Sequence, residues 1–92
     1  MIKTFRDVAA HELFDGQRIH RWVNIEAVAM RKLAMLNRAA TLNDLRIPPA
    51  NRLEALKGDR AGQHSIRVND QFRLCFRWKD GHAYDVEIVD YH

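Results

Sequence analysis

Residues 64–90 read HSIRVNDQFRLCFRWKDGHAYDVEIVD, and apolar and polar side chains alternate along most of this stretch. Phe72, Leu74, Phe76 and Trp78 share one parity, while Arg73, Cys75 and Arg77 share the other. A period of two is the pattern of a strand with one buried face. Ile66 and Val68 alternate around Arg67 just upstream, and Tyr84, Val86 and Ile88 fall together downstream. Asn69-Asp70-Gln71 and Lys79-Asp80-Gly81-His82 separate the three runs, and an Asp-Gly pair between alternating runs is a strong hairpin signal. The expected product is a three-stranded antiparallel meander over 64–69, 72–78 and 83–90. Its apolar face needs a cover.

Upstream the period lengthens. Ile25, Ala29, Leu33, Leu36 and Ala40 recur at three- and four-residue steps, which makes an apolar stripe on a helix. That helix is predicted to begin near Asn24, a favourable N-cap, with Glu26 at the positive end of the dipole, and to run to about Ala40. Arg31, Lys32 and Arg38 lie off the stripe. Ile2–Phe5 reads as a short opening strand and Val8–Phe14 as a short helix stopped by Asp15-Gly16. Thr41–Leu45 can add a turn, after which Pro48-Pro49 forces an extended crossing. The pattern predicts one domain over residues 1–92, of α+β class, with N-terminal helices on one face of a small curved antiparallel sheet.

Composition narrows the function. The chain has 92 residues with a net charge of +3, 47% hydrophobic and 29% charged, as expected of a globular protein. No apolar run approaches the roughly 20 residues of a membrane helix, and Lys3 and Arg6 come too early for a secretory signal. A cytoplasmic address is therefore expected, with no membrane partner. The single cysteine, Cys75, excludes an intrachain disulfide and reads as a buried small hydrophobe. No histidine pair has metal-ligand spacing, so neither metal nor cofactor is expected. The charge is unevenly spread. Residues 46–79 hold eight Lys/Arg against three Asp/Glu, whereas 80–92 hold four acids and no Lys or Arg.

Strand parity says where those cations point. With the apolar set turned to the helices, Arg67, Arg73, Arg77, Glu87 and Tyr91 fall on the open face. Guanidinium groups grip phosphate with two prongs and aromatic rings stack on unpaired bases, so this face suits RNA. Lys57 and Arg60 lie just upstream in Lys57-Gly58-Asp59-Arg60-Ala61-Gly62, a loop without the order of a Walker motif. His64 has inward parity, and His92, beside Asp90 and Tyr91, can reach over the sheet face.

Residues 53–74, from Leu53-Glu54-Ala55-Leu56-Lys57 through Gln71-Phe72-Arg73-Leu74, resemble the corresponding segment of the HigB toxins of the RelE superfamily. The closing Val86-Glu87-Ile88-Val89-Asp90-Tyr91-His92 resembles their C-terminus, and similarity extends upstream through Arg31–Leu36 and Leu45–Pro49. The resemblance implies a RelE-like fold and a toxin of a type II toxin–antitoxin module. It further implies a metal-independent endoribonuclease that cuts messenger RNA in the ribosomal A site and stops translation. The implied partners are the ribosome, messenger RNA and a HigA-type helix-turn-helix antitoxin, through which alone the toxin would meet DNA. Carried onto matching positions, His92 is the candidate for proton transfer, Lys57 and Arg73 for holding the phosphate, Tyr91 for positioning the base and Asp90 for orienting His92. Arg60, Arg67 and Arg77 are further phosphate-binding candidates. Some family members carry histidine where this chain has Glu54, which leaves Glu54 and His92 as alternative general bases. The competing reading is a ParE-like gyrase inhibitor of the same fold without RNase activity.

Overall fold

The alternating stretch forms the meander, and a fourth strand joins it. The computed structural model describes residues 1–91. Strand β1 (Glu54–Ala55) pairs with β2 (His64–Arg67), which pairs with β3 (Phe72–Lys79), which pairs with β4 (His82–Asp90), all antiparallel. The register sets Glu54 opposite Ser65, Ser65 opposite Cys75 and Cys75 opposite Glu87. Arg67 faces Arg73 in the next row. Asn69 Oδ1 accepts from the backbone N–H of Gln71 (2.9 Å) and Phe72 (2.7 Å) to close the first turn. Asp80 (φ +53°) and Gly81 (φ +81°) close the second, the two positive φ values that a two-residue hairpin turn requires.

The cover is helical. Helix α1 (Val8–Phe14) is capped by Asp7, whose carboxylate accepts from the N–H of Ala9 at 3.0 Å. Helix α2 (Glu26–Arg38) buries Ala29, Leu33 and Leu36 in a core shared with Ile66, Leu74, Phe76, Val86 and Ile88. Burying each of the leucine, isoleucine, valine and phenylalanine side chains among these contributes about 1.5–3 kcal/mol.

Several boundaries differ from the expectation. Residues His20–Ile25 form a 3₁₀ turn, and α2 starts at Glu26 rather than at an Asn24 cap. Trp22 leaves helical geometry there (φ −113°, ψ 15°) and is buried in the core, so burying that ring takes precedence over the cap. At the other end Ala39 is extended and buried while Ala40 is exposed, which moves the last stripe position back by one. Pro48 is extended as expected, but Pro49 opens a 3₁₀ turn, Pro49–Asn51, a position where its missing N–H costs nothing. The opening segment makes two isolated parallel bridges, Ile2 to Ala83 and Phe5 to Val86, along the outer edge of β4. That edge is thereby covered.

One strand face is corrected. Tyr84 was grouped with Val86 and Ile88, yet it pairs with Arg77 on the open side. Between the pairs Arg77–Tyr84 and Cys75–Glu87, β4 has two residues against one on β3, and Asp85 at this bulge has φ +53°. The extra residue inverts the parity of everything before it in β4.

The turn after α2 carries a pH prediction. Asp44 accepts from the N–H of Ala40 (2.9 Å) and Thr41 (3.0 Å), and its own N–H donates to Thr41 Oγ1 (3.3 Å), a capping box. The Thr41 N–H, followed by that of Ala40, holds the carboxyl below its ordinary value. A lowered folded-state value adds stability above the unfolded-state value, and that stability is lost as pH falls through the folded one. Asp44→Asn is therefore expected to be less stable than the parent at neutral pH and equal to it in strong acid. Urea melts at both pH values check this, and a difference that does not change with pH would contradict it.

Candidate RNA-binding cleft

Arg73 organises the open face. It comes from β3 with outward parity, yet its side chain is only 12% exposed, because it folds over β2 onto acceptors of Ser65 and Arg52. Its Nε donates to Ser65 Oγ at 2.7 Å, and Nη2 donates to the carbonyls of Arg52 (2.6 Å) and Ser65 (3.4 Å). Ser65 is fully buried beneath it. The Glu54 carboxylate lies 3.9 Å from Nη2 and is itself about half exposed. A guanidinium tied down this way presents a fixed positive charge, which costs little reorganisation when an anion arrives.

Around it lies an open cleft of about 650 Å³, lined among others by Arg52, Glu54, Arg67, Asp70, Arg73 and Tyr91. Arg67 donates to Asp70 at its rim. Tyr91, 45% exposed, continues the outward parity of β4 beyond Val89. The Cys75 thiol, buried below, donates to the Tyr91 hydroxyl at 3.9 Å. Burial pushes both the Cys75 thiol and the Tyr91 phenol above their ordinary values. Both stay protonated near neutrality, so Tyr91 can position or donate but cannot serve as a base, and Cys75 is no nucleophile.

The cleft thus brings together Glu54, Arg67, Arg73 and Tyr91. Asp90 stands at its edge, where its carboxylate accepts from Gln71 Nε2 at 3.0 Å and the Tyr91 N–H donates to the Gln71 carbonyl at 2.8 Å. Other candidates are placed elsewhere. Lys57 is exposed at the start of the 3₁₀ turn Gly58–Arg60, outside the cleft lining. Arg60 turns onto Glu87 (3.0 Å) and Gln63 (3.1 Å), and the hydrogen bond it donates to Glu87 raises its already high pKa further. Arg77 sits four residues along β3, 3.5 Å from Asp85. His92 lies outside the described residues.

Sequence reasoning missed two contributors to the cleft, and one cation near it. Arg52 reaches the cleft in a left-handed conformation (φ 45°) after the Pro49–Asn51 turn, and its carbonyl anchors Arg73. Ser65 had the right parity, opposite Cys75, and parity alone could have found it. Lys32 projects from α2, where Nζ donates to Oδ1 of buried Asn51 at 2.6 Å. Its pKa is lowered mainly by burial, then by the charges of Arg31 and Arg67.

The likeness to known proteins is consistent with this geometry. A family model for RelE-like toxins of the type II toxin–antitoxin system HigB matches residues 3–92. Toxin HigB-1 of Vibrio cholerae serotype O1 is 44% identical over 85 residues, covering 90% of this chain and 90% of that protein. Endoribonuclease HigB of Proteus vulgaris is 44% identical over 41 residues, 45% of each chain. Among solved structures, a YafQ mutant from E. coli matches with a TM-score of 0.64 over 99% of this chain and 94% of its own, at 12% identity, a likeness of fold alone.

Proposed function

The chain belongs to the RelE-like HigB toxins of type II toxin–antitoxin systems, and on that footing we propose that it is a metal-independent endoribonuclease that cuts messenger RNA in the ribosomal A site. The observation that carries the proposal is Arg73, locked by Ser65 and Arg52 in a cleft that also holds Glu54 and Tyr91. The name of the Proteus vulgaris relative supports RNA as the substrate. An antitoxin of the HigA helix-turn-helix type is the proposed partner, which keeps the toxin in check.

The reaction is an in-line attack of a ribose 2′-hydroxyl on the neighbouring phosphorus. Glu54 takes the 2′-hydroxyl proton as the P–O2′ bond forms. The P–O5′ bond breaks, and His92, with Asp90 orienting it, gives a proton to the leaving 5′-oxygen. The products are a 2′,3′-cyclic phosphate and a 5′-hydroxyl. Arg73 bears the charge that grows on the phosphoryl oxygens, and preorganised donors of this kind are worth about 10²–10³-fold each. Tyr91 holds the base, Arg67 grips a flanking phosphate, and Lys57 and Arg60 add field from the loop beyond Glu54.

Primer extension on cellular messages after induction tests the proposal. New 5′ ends inside reading frames are expected. Translation arrest without new ends, together with loss of gyrase supercoiling activity in a parallel assay, would replace the nuclease with a ParE-like gyrase inhibitor.

A further inference from the structure

The bulge in β4 creates a second depression on the open face, which the proposed reaction does not use. Gly62, Arg77, Trp78, Lys79 and Tyr84 line a groove of about 440 Å³. Tyr84 is there only because Asp85 adopts φ +53°, a conformation that an aspartate holds at a cost and keeps when its surroundings enforce it. The Asp85 N–H donates to Thr4 Oγ1 at 2.8 Å, and the next N–H, of Val86, donates to the Thr4 carbonyl at 3.1 Å. The Asp85 carboxylate, 3.5 Å from Arg77 Nε, aims the guanidinium beside the tyrosine that the bulge has turned outward. Gly62 makes room: a Cβ there would stand 2.9 Å from Arg77 Nη1. Bulges that re-aim a side chain are common beside functional sites.

Two cations and a half-exposed phenol ring in one groove match a nucleotide, with its phosphate on Arg77 and Lys79 and its base against Tyr84. An acidic protein segment would satisfy the cations and leave the ring without a use. We propose that this groove is a second RNA subsite, taking an unpaired nucleotide that flanks the one cut. The inference rests on the endonuclease reading above. Arg73 and Arg77 are four residues apart along β3, about 13 Å, and the first is held toward Ser65 and Arg52 and the second toward Asp85, so the two guanidinium groups serve separate phosphates. Arg60, its charge met by Glu87 opposite Cys75, stands between the two sites along the sheet.

Steady-state cleavage of message on programmed ribosomes tests this with Tyr84→Leu, Tyr84→Phe, Arg77→Gln and Lys79→Gln, alongside the affinity of each for the antitoxin. Tyr84→Leu is expected to raise KM by roughly 5- to 150-fold, the range set by loss of one stacked base. Tyr84→Phe should restore the parental KM, because stacking needs the ring and not the hydroxyl. Arg77→Gln and Lys79→Gln should raise KM and flatten its salt dependence. Lys79 is exposed, so its variant tests the groove even if another fails to fold. Parental KM in folded Tyr84→Leu and in Lys79→Gln would overturn the proposal. Parental KM with weakened antitoxin binding would also overturn it and make the groove a protein surface. If the unmutated protein cuts no message, the endonuclease reading itself has failed, which the wild-type reaction reveals before any variant is compared.

Discussion

Replacing Arg73 with alanine is expected to slow cleavage of ribosome-bound message by about 10²–10³-fold and to lower folding stability by about 1–3 kcal/mol. The first figure is the usual effect of removing one preorganised donor from a developing negative charge. The second follows because the buried Ser65 hydroxyl and the carbonyls of Arg52 and Ser65 lose their donor together. Arg73→Lys separates the two effects. Lysine keeps the charge but cannot hold Ser65 and Arg52 with one planar fork while facing a phosphate. It should therefore recover part of the stability and little of the rate. Urea unfolding and single-turnover cleavage measure the two quantities. A stable Arg73→Ala variant that cleaves at the parental rate would remove Arg73 from the chemistry.

His92→Gln is expected to cost about 10²–10⁴-fold in rate, the range for a positioned proton donor. With Glu54 as base and His92 as acid, Glu54→Gln should slow cleavage by a comparable factor. A 5′-thio leaving group, which needs no proton, should restore the rate of His92→Gln and not that of Glu54→Gln; the reverse pattern would make His92 the base. Glu54→Gln should not weaken the fold appreciably, because Glu54 is half exposed and its contact with Arg73 is a 3.9 Å pair open to solvent. Lys57→Ala is expected to have a smaller effect than Arg73→Ala, since Lys57 is exposed on its loop and lacks the anchoring that fixes Arg73.

The long elements were legible because their periods extend over many residues. β3 alternates across eight positions, and α2 carries its stripe through four turns' worth of sequence including its flanks. β1 was not legible, since two residues show no alternation and Glu54–Ala55 is a strand only because β2 is beside it. The face of Tyr84 was misread because the string Tyr84-Asp85-Val86 carries no glycine to announce a bulge, and aspartate is among the few other residues that tolerate positive φ. For the cleft, parity correctly placed Arg67, Arg73 and Tyr91 on one face. It could not foresee Arg52, which arrives through the turn Pro49–Asn51, itself held to α2 by buried Asn51 and Lys32. Lys57 was legible only as a cation just upstream of the strand arginines, its shared role with Arg73 came from likeness to relatives, and the two stand on separate features of the fold.

A message carrying a single 2′-deoxynucleotide at the cut position, placed in the A site of programmed ribosomes, tests the proposed chemistry most directly. Cleavage should stop at that position alone, while the all-ribose message yields a 2′,3′-cyclic phosphate and a 5′-hydroxyl. Cleavage of the deoxy-substituted message at the same place and rate would show that the neighbouring hydroxyl is not the nucleophile.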